Sequence, residues 1–312
     1  MVSKCLMTVK GSVKVEEFGL VLPHEHLFTD LRGPSDPGYA QGDVDKVIEI
    51  MRPNLDAAAE AGVTALVECT PEGVGRNVEM LTRLAEITPI HIICPAGVYK
   101  EEFHPSAYLD YDEAEVAEIF VRELTEGIAG SSVRGGFIKL AASGNGPTEI
   151  EQRNLRAAAQ ASQKTGAVIA SHTESAAVAQ REIAVLEATG LDLSRFIWVH
   201  ASVEPDVETH LAAARKGVYI EYDTINTASP DDYNRILTHL LEMLDAGLGD
   251  RLLLSHDAGW YDPAHPDGWE GMRGYTEIID DFIPTLRDRG VDDAAIQMLT
   301  RDNPLQAFGM DC

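Results

Sequence analysis

Short apolar runs alternate with longer amphipathic stretches along nearly the whole chain. The apolar runs fall at 18–22, 63–69, 90–94, 136–140, 167–170, 196–199, 217–220 and 251–254. Between and after them lie stretches with helical periodicity at 43–61, 76–86, 112–127, 149–165, 176–189, 204–216, 233–246 and 273–290. Stop and start signals sit where such helices need them. Gly62 and Gly166 follow two of the stretches, and Thr148 with Glu151 forms a capping-box pattern. Eight strand–helix units in 312 residues predict an α/β fold, a (β/α)8 TIM barrel of parallel strands. An open doubly wound sheet is the alternative, but no Gly-x-Gly-x-x-Gly follows the first run. No internal stretch rich in Pro, Gly or Ser marks a boundary, so residues 1–312 are expected to form one domain. Residues 1–17, with a turn at Lys10-Gly11, are expected to fold as a hairpin that caps the barrel floor.

Composition narrows the function. The chain carries 51 Asp and Glu against 25 Lys and Arg, a formal net charge of −26. A polyanion needs a basic footprint, so nucleic acid is excluded as a partner, and anionic membrane surfaces are disfavoured. The expected partner is a small molecule. Hydrophobic residues make up 45%, which excludes a disordered chain. The N-terminus leads into no long apolar stretch, and no run reaches bilayer length, so a soluble cytoplasmic protein is expected. Four cysteines, Cys5, Cys69, Cys94 and Cys312, lack metal-type spacing and are too few for a disulfide framework. Cys69 and Cys94 lie in apolar runs and are expected to be inert core thiols.

The candidate chemistry lies in where the histidines fall. Four of the ten sit at the C-terminal ends of expected strands: His24 and His26, His172, and His200. In a parallel barrel those ends share one face, and strand positions i and i+2 point to the same side. Further spacings match the repeat. His172 lies 28 residues before His200 and 33 after Lys139, and Asp257 follows His200 by 57. Four imidazoles, a lysine and a carboxylate on one rim point to a metal site. Imidazole and carboxylate ligands suit zinc and also accommodate cobalt, manganese or iron. Lys139 lies among apolar neighbours in Gly136-Phe137-Ile138-Lys139-Leu140-Ala141, where an uncompensated ammonium is costly. Two explanations stand level: a pairing with a buried carboxylate such as Glu68, or a carbamate formed with carbon dioxide that bridges two cations.

The ordered set of these stretches resembles the phosphotriesterase family of the amidohydrolase superfamily across nearly the whole chain. The matching stretches are Thr8-Val9-Lys10-Gly11, Leu22-Pro23-His24-Glu25-His26, Gly73-Val74-Gly75-Arg76-Asn77 and Gly136-Phe137-Ile138-Lys139. They continue with Ser171-His172-Thr173, Val199-His200, Ser255-His256-Asp257 and Asn303-Pro304. The resemblance implies a barrel with two divalent metals, zinc first among the candidates. By that resemblance His24, His26 and Asp257 hold the more buried metal and His172 and His200 the other, with N-carboxylated Lys139 and a hydroxide bridging them. Asp257 doubles as the proton acceptor. A homodimer is compatible with it.

Two departures bear on the substrate. The position three residues after His200 is Val203, where the family's organophosphate and acyl-homoserine-lactone hydrolases carry Asp. After Tyr222-Asp223 stands Thr224, where phosphotriesterases carry His and many lactonases Arg. Tyr99 resembles a pocket-lining tyrosine of lactonase-like members, and Trp260 is a candidate pocket wall beside Asp257. His256 neighbours Asp257, so strand alternation turns it outward. The leading expectation is a binuclear hydrolase of lactones, sugar-type or aliphatic, with Asp257 and Lys139 catalytic and Tyr99, Trp260 and Thr224 lining the substrate pocket. Phosphotriester hydrolysis is the alternative, followed by an amide-cleaving or deaminase-type amidohydrolase. The His-x-x-Glu pattern expected of a deaminase is absent, since His172 is followed by Thr173-Glu174-Ser175.

Overall fold

Each of the eight apolar runs contributes a strand in the computed structural model, which describes residues 3–269 and 271–312. After a hairpin of β1 (Lys4–Thr8) and β2 (Gly11–Lys14) come β3 (Leu20–Phe28), β4 (Val63–Glu68), β5 (His91–Ile93) and β6 (Pro95–Ala96). Then follow β7 (Phe137–Ala141), β8 (Ile169–His172), β9 (Phe196–Val199), β10 (Tyr219–Tyr222), β11 (Leu252–Leu254), β12 (Gly259–Tyr261) and β13 (Met310–Asp311). The strands from β3 to β12 pair in parallel in two ordered runs, β12-β3-β4-β5 and β6-β7-β8-β9-β10-β11. Only Cys94 separates β5 from β6, so these two segments form one bent barrel strand between the runs. At the other seam β12, just past β11, pairs with β3 through Gly259 and His26. Helices alternate with the strands, as a (β/α)8 barrel requires. They include α1 (Val44–Glu60), α2 (Val78–Glu86), α3 (Ser106–Asp110), α4 (Glu113–Thr125), α5 (Glu149–Thr165), α6 (Ala176–Ala188), α7 (Val207–Arg215) and α8 (Pro230–Asp245).

Local chemistry sets several of these bounds. The Thr148 hydroxyl accepts from the Glu151 N–H while the Glu151 carboxylate accepts from the Thr148 N–H, and Gly166 ends α5 in the left-handed region. The stretch 273–290 departs from expectation. It is irregular until Glu277, makes a π-helical turn at Ile278–Phe282, and is α-helical only over Ile283–Asp288. Arg273 explains part of this: its guanidinium bonds to the backbone carbonyls of Ile225 and His256, which holds the segment against the barrel rim.

Two apolar cores flank the strands. The larger lies between strands and helices and includes Leu22, Leu55, Phe120, Leu155, Trp198 and Tyr222. The smaller fills the lower barrel with Val21, Ala65, Val67, Ile93, Phe137, Val168, Ala170, Ile197, Tyr219 and Leu253. Leu6 of the hairpin and Leu305 and Phe308 near the C-terminus belong to this inner cluster, which packs the hairpin against the barrel floor. The cysteine expectation is corrected in one respect. Cys5 and Cys312 are disulfide-bonded across 307 residues, because β13 pairs with β1 and brings both chain ends to the floor. Cys69 and Cys94 are free and buried. No helix among the described residues is long and apolar enough to cross a membrane.

Candidate metal centre

The inward-facing positions climb each strand in steps of two. On β7 the step from Phe137 leads to Lys139, on β8 from Ala170 to His172, and beyond β11 from Leu253 through Ser255 to Asp257. On β3 the register shifts between Leu22 and Glu25, which brings His24 and His26 into the inward phase above Val21. His200 follows inward Val199 directly, and its left-handed backbone (φ 61°) makes that turn. Asp257 is also left-handed, at φ 51°. Strained non-glycine residues of this kind concentrate at functional sites.

The six expected residues converge. The His24 and His200 ring centroids are 5.1 Å apart and those of His172 and His200 are 4.4 Å apart. Asp257 Oδ1 lies 3.1 Å from His26 Nε2 and 3.6 Å from His24 Nε2. One donor atom each of His24, His200 and Asp257 lies within 4.8 Å of the others, a suitable set for a divalent cation. Burial and the nearby Lys139 charge push the His24 imidazole down to about 3, and burial with the neighbouring His200 does the same for His172. Both rings are therefore neutral, as ligands must be. Burial alone would raise the Asp257 carboxyl, but the imidazoles of His26, His24 and His200 leave it lowered. Lys139 is buried and its Nζ has no hydrogen-bond partner among the described residues. The pairing with Glu68 does not form: that carboxylate accepts instead from the backbone N–H groups of Leu27 and Thr70. Asp257 Oδ1 is likewise buried, and beyond the 3.1 Å approach of His26 Nε2 it has no hydrogen-bond partner among the described residues. A buried lysine amine and a buried carboxylate oxygen, neither hydrogen-bonded among the described residues and both set among imidazoles of which His24 and His172 are held neutral, fit a site that closes around cations.

Each imidazole is oriented from behind. His26 Nδ1 lies 2.7 Å from Thr70 Oγ1, His200 Nδ1 3.0 Å from Asp223 Oδ2, and His172 Nε2 3.1 Å from Glu174 Oε1. His24 Nδ1 faces Glu221 Oε2 at 2.9 Å and Asp223 Oδ2 at 3.3 Å. Asp223 also accepts the backbone N–H of His200, and the His200 charge, with side-chain hydrogen bonds from His200 and His24, holds its carboxyl well below the usual range against its burial. These supporting acids are absent from the expected set. A signal for two of them existed, since Glu221 and Asp223 continue the inward phase of Tyr219. His256 is buried outside the barrel, with Nδ1 facing Glu25 and Nε2 accepting from the Ile278 N–H, as strand alternation predicts.

The three expected pocket residues border this cluster. The Tyr99 hydroxyl lies 3.2 Å from His172 Nδ1, and the Trp260 ring is centred 4.4 Å from that of His26. Gly97 lets the Tyr99 segment approach, since a Cβ there would stand 2.3 Å from the Lys139 carbonyl oxygen. Thr224 donates to Ser202 Oγ, which donates to Asp223 Oδ1, while Val203 is exposed.

Comparison with known proteins identifies the family and the fold. The model of the phosphotriesterase family matches residues 4–308. A phosphotriesterase homology protein of Mycobacterium tuberculosis is 31% identical, covering 97% of both chains. The aryldialkylphosphatase of Saccharolobus solfataricus is 27% identical over 96% of this chain and 98% of its own. The solved structure of a mutant Deinococcus radiodurans PTE-like lactonase superposes with a TM-score of 0.86 at 32% identity, covering 97% of this chain and all of that one. The chain thus belongs to the phosphotriesterase family of binuclear-metal-dependent enzymes and is a hydrolase acting on ester bonds.

Proposed function

We propose that this hydrolase acts on lactones, sugar-type or aliphatic, in preference to phosphotriesters. The observation that carries the site assignment is the pair of orphaned buried atoms, Lys139 Nζ and Asp257 Oδ1, within the ring of four imidazoles. His24, His26 and Asp257 would hold the more buried of two divalent cations and His172 and His200 the other. Lys139, carboxylated to an anion, would lie between them. When bound, such a pair makes water nucleophilic near neutral pH and polarises the carbonyl oxygen under attack. Asp257, lowered and so ionised, is placed to take the proton of the attacking water and pass it towards the leaving oxygen.

The lactone preference rests on the rim. Thr224 places no base where the family's phosphotriesterases have His, and its hydroxyl is engaged with Ser202, while Val203 lacks the relay Asp that both organophosphate and acyl-homoserine-lactone hydrolases carry. Expulsion of a free alkoxide gains from proton relay, whereas a lactone's alcohol stays tethered to its acyl group after ring opening. Tyr99 and Trp260 supply aromatic walls for a flat ring on opposite sides of the cluster, one beside His172 and one beside His26. The expected result is a kcat/KM for the best γ-lactone at least about tenfold above that for any aryl dialkyl phosphate, a difference of ~1.4 kcal/mol in transition-state binding. Side-by-side kinetics on metal-replete protein, with a simple N-acyl amide as a third arm, decides it. Equal or faster turnover of the phosphate or the amide overturns the lactone reading.

A further inference from the structure

Glu221 stands directly behind the candidate cation site, in a position that the six expected ligands do not explain. It is 1% exposed, on the interior face of β10, with Oε2 2.9 Å from His24 Nδ1 and Oε1 without a hydrogen-bond partner among the described residues. Its neighbour Asp223 also approaches His24 Nδ1, at 3.3 Å, but spends the same oxygen on the His200 backbone N–H at 2.8 Å and on His200 Nδ1 at 3.0 Å. Its second oxygen accepts from Ser202 Oγ. Asp223 is therefore shared among several donors, and Glu221 makes the closest approach to His24.

This arrangement selects a tautomer. Burial and the neighbouring Asp223 raise the Glu221 carboxyl, whereas Asp223 is lowered and ionised. An Asp223 oxygen and Glu221 Oε2 both facing Nδ1 place the imidazole proton there and leave the Nε2 lone pair directed to the Asp257 side, where Oδ1 is 3.6 Å away. His26 Nδ1 faces two hydroxyls, Thr70 Oγ1 at 2.7 Å and Thr29 Oγ1 at 3.4 Å, and His200 Nδ1 faces Asp223 Oδ2 at 3.0 Å. His24 has two carboxylates, and one of them retains a bare buried oxygen. Such an orphan is costly unless charge of the opposite sign sits close by.

We propose that Glu221 is a positioning residue of the cation site formed by His24, His26 and Asp257: it fixes the His24 tautomer and sets a buried carboxylate behind that ligand, which strengthens retention of that cation. The proposal rests on the two-cation assignment above. Outer partners of this kind typically change metal affinity by about ten- to a hundredfold.

The test compares zinc-loaded wild type, Glu221→Leu and Glu221→Gln for metal loss to excess chelator, followed by elemental analysis. Parallel cobalt-loaded samples report the ligand field by visible absorption. In Glu221→Leu, which fills the site with an apolar side chain, one of the two ions should leave at least about tenfold faster, and the cobalt spectrum should shift. The second ion should leave at the wild-type rate. Glu221→Gln keeps an acceptor for Nδ1–H without the charge, so its loss rate should lie between, at least about threefold above wild type. Should Glu221→Leu fail to fold, the Gln variant decides alone. Wild-type loss rates in the folded variants overturn the proposal for Glu221 and leave the cation site standing. A wild type that retains no ion overturns the cation site itself, and this proposal with it.

Discussion

The two ends of the barrel interior are built on the same strands and obey opposite rules. At the floor, inward residues are apolar and mutually packed. The Phe137 and Phe308 rings meet edge to face at 5.3 Å, Leu6 joins them, and the Cys5–Cys312 bond ties both chain ends across the base. Two residues higher on β7, Lys139 is buried like Phe137 and its Nζ has no hydrogen-bond partner among the described residues. The same step turns Tyr219 into Glu221 on β10, and Ala170 into His172 on β8. The floor spends its burial on stability through apolar contact. The mouth buries imidazoles, carboxylates and a lysine side chain at a cost in stability, which is expected where preorganisation for charge is selected instead.

Lys139→Met should give the largest effect at the mouth. It should lower kcat/KM on the order of a thousandfold, about 4 kcal/mol of transition-state stabilisation, and lower metal occupancy with it. A short carboxylic acid should restore part of the activity by supplying the missing anion. Because the substitution also removes an orphaned buried amine, the melting temperature of the metal-stripped protein should hold or rise. Near-normal rates with both metals retained would make Lys139 merely structural.

Phe308→Ala is the corresponding change at the floor, with the opposite signature. Removing a fully buried ring from the inner cluster should cost about 3–5 kcal/mol in denaturant unfolding. The kcat/KM of the folded fraction should stay near wild type. A large catalytic loss at unchanged stability would show that the two ends are not separable.

Glu182 sharpens the comparison from outside the barrel. Its buried carboxylate accepts from Ser171 Oγ and Thr173 Oγ1, the residues flanking His172, and burial pushes it up to about 7 from 4.5. Between those values the unfolded chain has released the proton that the native state still holds. Stability should therefore fall as pH rises from 4.5 to 7 and level off above, by up to about 3 kcal/mol from this group. Glu182→Gln should flatten that part of the profile in denaturant midpoints measured across the window. An unchanged slope would assign the pH dependence to other groups.

Much of this contrast is legible in the sequence because it follows strand periodicity. The eight strands, the hairpin and the approach of His24, His26, His172, His200 and Asp257 to one another all rest on period two and repeat length. What escaped depends on tertiary closure. The β1–β13 pairing and the Cys5–Cys312 bond join the chain's two ends, which no local pattern links. The irregular segment before Glu277 is held by Arg273 on carbonyls far away in sequence. Asp223 and Glu221 kept the inward phase, yet their partnership with His24 appears only once β3 and β10 face each other across the interior.

The central claim is that the barrel mouth is a two-cation centre bridged through Lys139. Elemental analysis of wild-type protein purified with carbonate and divalent metal present tests it most directly. The account predicts two ions per chain, falling to one or fewer in Lys139→Met. One ion per wild-type chain with full activity would contradict it.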